Sequence, residues 1–130
     1  MSALSNYLEG EIVEYFLRSQ TAAQPGQLYL ALFTSNPSDA GGGTEVSYGA
    51  YERKAIDFTT YDSGTGKTKN TALIQFAAND GIQVTVTGAA VFDALNNGNM
   101  FLWGGLAANK ILDTNDVLSF AQEALELTLD

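Results

Sequence analysis

The chain has 130 residues, of which 45% are hydrophobic and 16% charged, and its 6 lysines and arginines against 15 aspartates and glutamates give a net charge of −9. A chain of this length buries roughly two thirds of its unfolded surface on folding, so a single domain needs no disulfide. The negative charge repels phosphate backbones and anionic lipids, and we therefore expect no nucleic acid and no membrane among the partners.

Cysteine and histidine are both absent. Their absence excludes thiolate nucleophiles, Ser-His-Asp triads and the usual ligand sets of zinc sites. No segment approaches 18 consecutive apolar residues and the N-terminus has no positively charged region, so we expect neither a membrane span nor a signal peptide. The composition indicates a protein that is not an enzyme and that holds no cofactor and no metal.

The first predicted element is an amphipathic helix over residues 1–18. Its apolar residues recur every three or four positions on one helical face: Leu4, Tyr7, Leu8, Ile12, Tyr15 and Phe16. Ser2 is the candidate N-cap, and three glutamates precede Arg18 in the order that the helix dipole favours. This apolar face predicts either a helix packed on the protein's own sheet or an arm that docks on a neighbouring subunit.

About eight strands are predicted after the helix. Residues 28–34 are apolar on both faces, which indicates a central buried strand, and the proline and glycines of residues 35–43 predict an exposed loop. Alternating or apolar runs between turns indicate the other strands, at 51–58, 72–76, 82–87, 89–93, 100–103, 111–114, 117–120 and 124–129. The sequence therefore predicts a mainly β fold, an antiparallel β-sandwich or open barrel with an N-terminal amphipathic helix, in a single domain over residues 1–130.

The dipeptide Asn97-Gly98 predicts one turn in particular. Asn-Gly is typical of a type I′ turn, in which both central residues have positive φ. We therefore expect a tight hairpin that joins a strand ending near Asp93 to a strand starting near Met100.

Two short motifs resemble ligand-binding loops but lack required residues. Residues 64–68 read Gly-Thr-Gly-Lys-Thr, yet a phosphate-binding loop needs a glycine where Tyr61 stands. Residues 113–116 resemble the start of a calcium loop, yet Leu118 and Ala124 occupy the positions of its glycine and its bidentate glutamate. A turn stabilised by Asx side chains explains residues 113–116 more simply. We expect neither nucleotide nor calcium binding.

Trp103, which precedes two glycines, has two interpretations. Either it fills the core of the sandwich, or it is an exposed aromatic platform for a sugar ring or a protein partner. The helix and the first loop are the elements that a sandwich core needs least. The candidate partner-contact residues are accordingly Leu4, Tyr7, Leu8, Asn36, Pro37, Asp39 and Trp103.

The order of several sequence pieces resembles a family of small virion structural proteins of tailed bacteriophages. The similar pieces include LYLALFTSNPSDAG at residues 28–41 and GNMFLWG at residues 98–104. Further similar pieces are residues 1–9, 43–47, 91–94 and 115–121, together with Tyr51 and Arg53, so the resemblance runs nearly from end to end. The resemblance implies a structural role in the virion, for a protein made in the host cytoplasm.

The members of this family are either capsid-associated or tail-fibre-like. We expect a head decoration or cement protein that binds the major capsid protein and copies of itself, as a trimer on the outer face of the shell. The alternative is a tail or tail-fibre component that recognises a host-surface glycan.

Overall fold

The computed structural model describes residues 3–128. A helix, α1 (Asn6–Ile12), continues into a π-helical turn at Val13–Leu17. The strands in chain order are β1 (Ala3–Leu4), β2 (Leu28–Ser35), β3 (Thr44–Glu45), β4 (Lys54–Ile56), β5 (Lys67–Lys69), β6 (Ile74–Gln75), β7 (Val84–Phe92), β8 (Met100–Leu112), β9 (Ser119–Phe120) and β10 (Glu126–Thr128). The predicted mainly β, antiparallel fold with an N-terminal helix is confirmed.

The largest sheet has six strands in the order β1-β8-β7-β2-β3, and β4 also pairs with β2. Strands β2 and β7 lie at its centre, where Leu30 pairs with Val91 and Leu32 pairs with Ala89. Both strands are buried on both faces, as the continuous apolar run of β2 predicts. Two smaller sheets, β5 with β10 and β6 with β9, are also antiparallel.

The two faces of the large sheet bury different sets of side chains, because neighbouring residues of a strand point to opposite faces. The main core contains leucines, valines and the fully buried Phe76, and Leu30 and Leu32 of β2 contribute to it. The smaller cluster on the other face consists of Ala31, Phe33, Ala90 and Met100.

The N-terminal helix begins later than the sequence predicts. Leu4 is not helical, because it pairs with Leu102 in the short strand β1. Ser5 is the N-cap: its hydroxyl accepts a hydrogen bond from the backbone of Leu8 at 3.1 Å and donates one to the carbonyl of Met100. The predicted cap Ser2 and the end of the last predicted strand at Leu129 lie outside the described residues.

Strand β8 joins two elements that the sequence separates. Gly105 pairs with Gly88 and Lys110 pairs with Val86, so residues 106–109 bulge out opposite Thr87 alone. The predicted strands at 82–87 and 89–93 likewise form one strand, β7. Because the alternation of apolar and polar residues is interrupted within β7 and β8, the sequence predicts shorter strands than the structure contains.

Two buried asparagines hold the irregular segments of the second half of the chain. The side-chain amide of Asn70 donates to the carbonyl of Ala121 at 2.9 Å, and its oxygen accepts from the backbone of Leu125 at 2.9 Å. The amide of Asn79 donates to the carbonyl of Leu112 at 2.9 Å. Both side chains have no exposed surface, and their hydrogen bonds replace the strand pairing that these segments lack.

The hairpin between β7 and β8 contains the positive φ angles that the sequence predicts, 56° at Asn97 and 78° at Gly98. The loop is longer than the tight hairpin that we expected. The backbone of Asp93 donates to the carbonyl of Asn99 at 3.1 Å, so five residues lie between them. The carboxylate of Asp93 also accepts from the backbone of Asn99 at 2.7 Å, which closes this wider loop.

We predict that Gly98→Val lowers the free energy of unfolding by roughly 1–3 kcal/mol, because a β-branched residue is strained at positive φ. A Cβ atom at this position would also lie 2.5 Å from Asp93 Oδ1 and 2.7 Å from Ala94 Cβ. Urea denaturation measures the change. Gly26→Val is the control, because a Cβ there meets no atom within 4 Å and φ is not positive. Equal stability of the two variants would contradict the prediction.

Candidate functional site

Asp39 brings the N-terminal helix, the first loop and Trp103 together. Its backbone carbonyl accepts a hydrogen bond from the backbone of Asn6 at 2.8 Å, and its carboxylate accepts one from Trp103 Nε1 at 2.8 Å. Strand β1, which leads into the helix, also pairs with β8 at Trp103. Asp39, Trp103 and the start of the helix, which are distant in the chain, therefore lie together.

Trp103 fits neither of its two sequence interpretations completely. It lies outside the main core and packs against the smaller cluster of Ala31, Phe33, Ala90 and Met100 on the other face of the sheet. The ring is half-buried, and its nitrogen is engaged by Asp39. Trp103 thus anchors the first loop on the sheet while part of its ring remains accessible.

Asn36 also attaches the first loop to the sheet. Asn36 Oδ1 accepts a hydrogen bond from Thr87 Oγ1 at 2.8 Å. The amide of Asn36 fits against Gly88, where a Cβ atom would lie only 2.2 Å from Asn36 Oδ1. Pro37 is buried, whereas Asn36 and Asp39 are exposed. Of the predicted loop residues, these two are therefore the accessible ones.

The predicted contact residues Tyr7 and Leu8 line a small apolar groove, which we call the helix groove. Its volume is about 160 Å³, and it is lined by Tyr7, Leu8, Glu11, Ile12, Tyr15, Phe16, Ala22, Ala23, Pro25 and Phe101. The rings of Tyr7 and Phe101 are in contact, with 5.7 Å between their centroids. At the end of the helix, Phe16 and Leu17 are 72% and 76% exposed. The predicted apolar face of the helix is thus only partly covered by the protein's own sheet.

The residues around the helix groove carry mainly negative charge. Glu9 is exposed, and Glu11 is half-buried at the groove itself. Burial, followed by the negative charges of Glu11 and Asp93, raises the pKa of the Tyr7 hydroxyl. Arg18 brings a positive charge, but its guanidinium pairs with Glu14 at 2.9 Å.

A larger cleft, of about 600 Å³, shares Tyr7 with the helix groove. It is lined by Ser5, Asn6, Tyr7, Phe33, Asp39, Ala40, Gly41, Gly42, Gly43, Glu45, Phe92, Gly98, Asn99 and Met100. Among the described residues that line it, none is a lysine or an arginine. The cleft therefore combines aromatic and polar surface without a cationic side chain among these residues.

A buried arginine, Arg53, fixes the β7–β8 loop beside this cleft. Its guanidinium forms two hydrogen bonds with the carboxylate of Glu45, at 3.0 and 2.9 Å, and donates to the carbonyls of Ala94 and Asn97 at 2.9 and 2.7 Å. The guanidinium carbon lies 3.8 Å from the centroid of the Phe92 ring. Arg53 belongs to the similar pieces of the sequence, but Glu45 lies on a different segment, so no periodic pattern reveals the pair.

The two ligand-loop motifs of the sequence form ordinary turns. Asp62 Oδ1 accepts a hydrogen bond from the backbone of Gly64 at 2.9 Å, and Lys67 pairs with Glu126 at 2.8 Å. The carboxylate of Asp116 accepts from the backbone of Asp113 at 2.8 Å, so an aspartate side chain stabilises this turn. Within residues 3–128 there is no group of three or more side chains placed to hold a metal ion. No helix in the same range is long and apolar enough to cross a membrane.

We predict that Arg53→Met lowers the free energy of unfolding by roughly 3 kcal/mol, because it leaves the Glu45 carboxylate without its positive partner and the carbonyls of Ala94 and Asn97 without this donor. Arg53 is only 7% exposed. Lys54→Met is the matched control, because the pair of Lys54 with Glu52 is more exposed and we expect it to contribute less than about 1 kcal/mol. Guanidinium denaturation of both variants measures the difference, and an Arg53→Met variant as stable as the control would refute this role of the pair.

The comparison with known families supports the resemblance found in the sequence. A family model described as Podophage GP4 fiber I protein gp80 matches residues 3–128. No match to the chain was found among curated proteins. The family match covers the helix groove, the cleft and all the predicted contact residues. The chain belongs to this family of podophage fibre proteins and is a structural protein of a tailed-phage virion.

Proposed function

We propose that this protein is a non-enzymatic building block of a podophage tail-fibre apparatus and that it docks on the particle through its N-terminal helix. The observation that carries the proposal is the exposed apolar surface of the helix, where Ile12, Val13, Tyr15, Phe16 and Leu17 are 38%, 43%, 50%, 72% and 76% exposed. Contiguous exposed apolar side chains of this kind mark interaction surfaces. The family match supports the fibre assignment.

Burial of these side chains would supply the docking energy. Complete burial of one Phe or Leu side chain stabilises a contact by roughly 1.5–3 kcal/mol. In the isolated chain most of the surface of Phe16 and Leu17 is exposed, so most of this burial energy is still available for contact with a partner. Repeated copies on one particle strengthen such contacts further.

The family description supports the tail-fibre alternative better than the head decoration that we expected first from the resemblance. The major capsid protein is accordingly not the partner that we propose. Self-association as a trimer remains a prediction, and native mass spectrometry of the purified protein measures it directly.

We predict that purified particles contain far fewer copies of this protein than of the major capsid protein. Fibres attach at a small number of positions around a tail, whereas a decoration protein repeats over the whole shell. Mass spectrometry with isotope-labelled reference peptides gives the ratio, and antibody labelling under the electron microscope gives the position. A ratio near that of the capsid protein, with labels over the head, would replace the fibre proposal by head decoration.

The large cleft supports a host-glycan contact as part of the fibre function. It offers the ring of Tyr7 for stacking on a sugar, and the polar side chains of Asn6, Asp39 and Asn99 for its hydroxyls. The absence of lysine and arginine among the described lining residues favours an uncharged saccharide over an anionic one.

We predict that the purified protein binds uncharged polysaccharide from the host surface and that Asn6→Trp, which places a bulky ring in the cleft, weakens binding about tenfold, equivalent to about 1.4 kcal/mol. Asn96→Trp is the control, because Asn96 is exposed and does not line this cleft. Biolayer interferometry measures the affinities, and thermal melts verify that both variants fold. Equal affinities of the two variants would assign any glycan binding to another surface.

A further inference from the structure

The β7–β8 loop contains the one Asn-Gly dipeptide of the chain, Asn97-Gly98. An asparagine in this position can lose ammonia without an enzyme, because glycine has no side chain that keeps its backbone nitrogen away from the asparagine amide. Every other asparagine of the chain is followed by a residue with a side chain. Asn97 and Gly98 are both exposed, so water reaches them. The loop therefore contains the reacting groups of a chemical modification site.

The reaction at such a site is deamidation through a cyclic imide. The backbone nitrogen of Gly98 forms a bond to Cγ of Asn97, the bond from Cγ to Nδ2 breaks, and ammonia leaves with the amide proton of Gly98. Water then opens the imide at either of its carbonyl carbons. The products are aspartate, or isoaspartate with an additional carbon atom in the main chain.

The conformation of Asn97 keeps the reacting atoms apart. Its φ angle is 56°, and at such a positive φ a residue with a side chain has a ψ angle of roughly +30 to +60°. At this ψ the carbonyl oxygen of Asn97 lies on the side of its Cβ atom, and the nitrogen of Gly98 points to the opposite side. Ring closure therefore requires a large rotation about the Cα–C bond of Asn97, which also moves its carbonyl oxygen.

Arg53 holds this carbonyl oxygen in place. Its Nη1 atom donates a hydrogen bond to the carbonyl of Asn97 at 2.7 Å and another to the carbonyl of Ala94 at 2.9 Å. The side chain of Arg53 is only 7% exposed, and its guanidinium is bound by the carboxylate of Glu45, so it cannot follow a moving loop. The rotation that ring closure requires therefore breaks a hydrogen bond from a buried, charged donor.

We propose that Asn97-Gly98 is a deamidation site of this chain and that Arg53 controls its rate by holding the Asn97 carbonyl. The reaction proceeds from molecules in which the loop has opened locally, so its rate follows the population of the open loop. Arg53 acts through the conformation of Asn97 and is a positioning residue. Isoaspartate lengthens the main chain next to Gly98 and Asn99, which line the large cleft.

Timed deamidation of the full chain tests the proposal. Wild type and Arg53→Met are incubated in mildly alkaline buffer, peptide mass spectrometry measures deamidation of Asn97, and an isoaspartyl methyltransferase assay measures isoaspartate. Wild type unfolded in urea gives the rate of the unprotected dipeptide. We expect folded wild type to react at least about tenfold more slowly than the unfolded chain, and Arg53→Met to react about tenfold faster than folded wild type, because a hydrogen bond from a charged donor is lost.

Leu112→Ala is the matched control for a general loss of stability. Leu112 is 4% exposed and pairs with Val84 at the end of the β7–β8 ladder that lies opposite the loop. Its truncation destabilises the core without removing a hydrogen bond of the loop. Urea denaturation verifies that both variants are folded and measures their loss of stability. We expect Leu112→Ala to deamidate at Asn97 at a rate close to that of folded wild type.

Different results would overturn the proposal. Folded wild type that reacts as fast as the unfolded chain would show that the closed loop gives no protection. A folded Arg53→Met variant that reacts no faster than wild type would remove the role of Arg53. Equal acceleration in Leu112→Ala and Arg53→Met would assign the reaction to globally unfolded molecules. These measurements use the isolated chain, so they do not depend on the fibre or glycan proposals.

Discussion

The ion pair between the buried Arg53 and the half-buried Glu45 connects the elements that shape the accessible surface of this protein. Glu45 lies on edge strand β3 and also accepts a hydrogen bond from the hydroxyl of Tyr51 at 2.7 Å. The same hydroxyl accepts from the backbone of Leu32 on central strand β2 at 3.0 Å. Arg53 extends this network to the β7–β8 loop through Asn97. These connected hydrogen bonds hold the irregular loops at the border of the cleft in one conformation.

Side-chain hydrogen bonds also replace regular strand pairing in the second half of the chain. Asn70 and Asn79 are completely buried, and each bonds backbone groups far away in the sequence. A buried backbone group without a partner is costly, so irregular segments can be buried only where such side chains are available. The fold therefore depends on a few polar residues as much as on its apolar core.

The sequence predicts those features that have a local signal. The apolar run of β2 and the dipeptide Asn97-Gly98 both gave the correct local conformation, because strand burial and positive φ depend on neighbouring residues. The predicted start of the helix was wrong because Leu4 also fits a helical spacing, and only its pairing with β8 determines its conformation. Contacts such as Trp103 with Asp39 join residues that are distant in the chain and leave no periodic pattern.

The hydrogen bonds of Ser5 have a consequence for the entropy of docking. Ser5 connects the last residue of β1 to the first turn of α1, and it bonds to both the helix and β8. The first turn of the helix is consequently ordered before any partner arrives, in an orientation that the sheet determines. Ordering a flexible segment on binding lowers affinity, and a segment that is already ordered avoids this loss. Under the proposed docking through the helix, this existing order would reduce the entropy lost on binding.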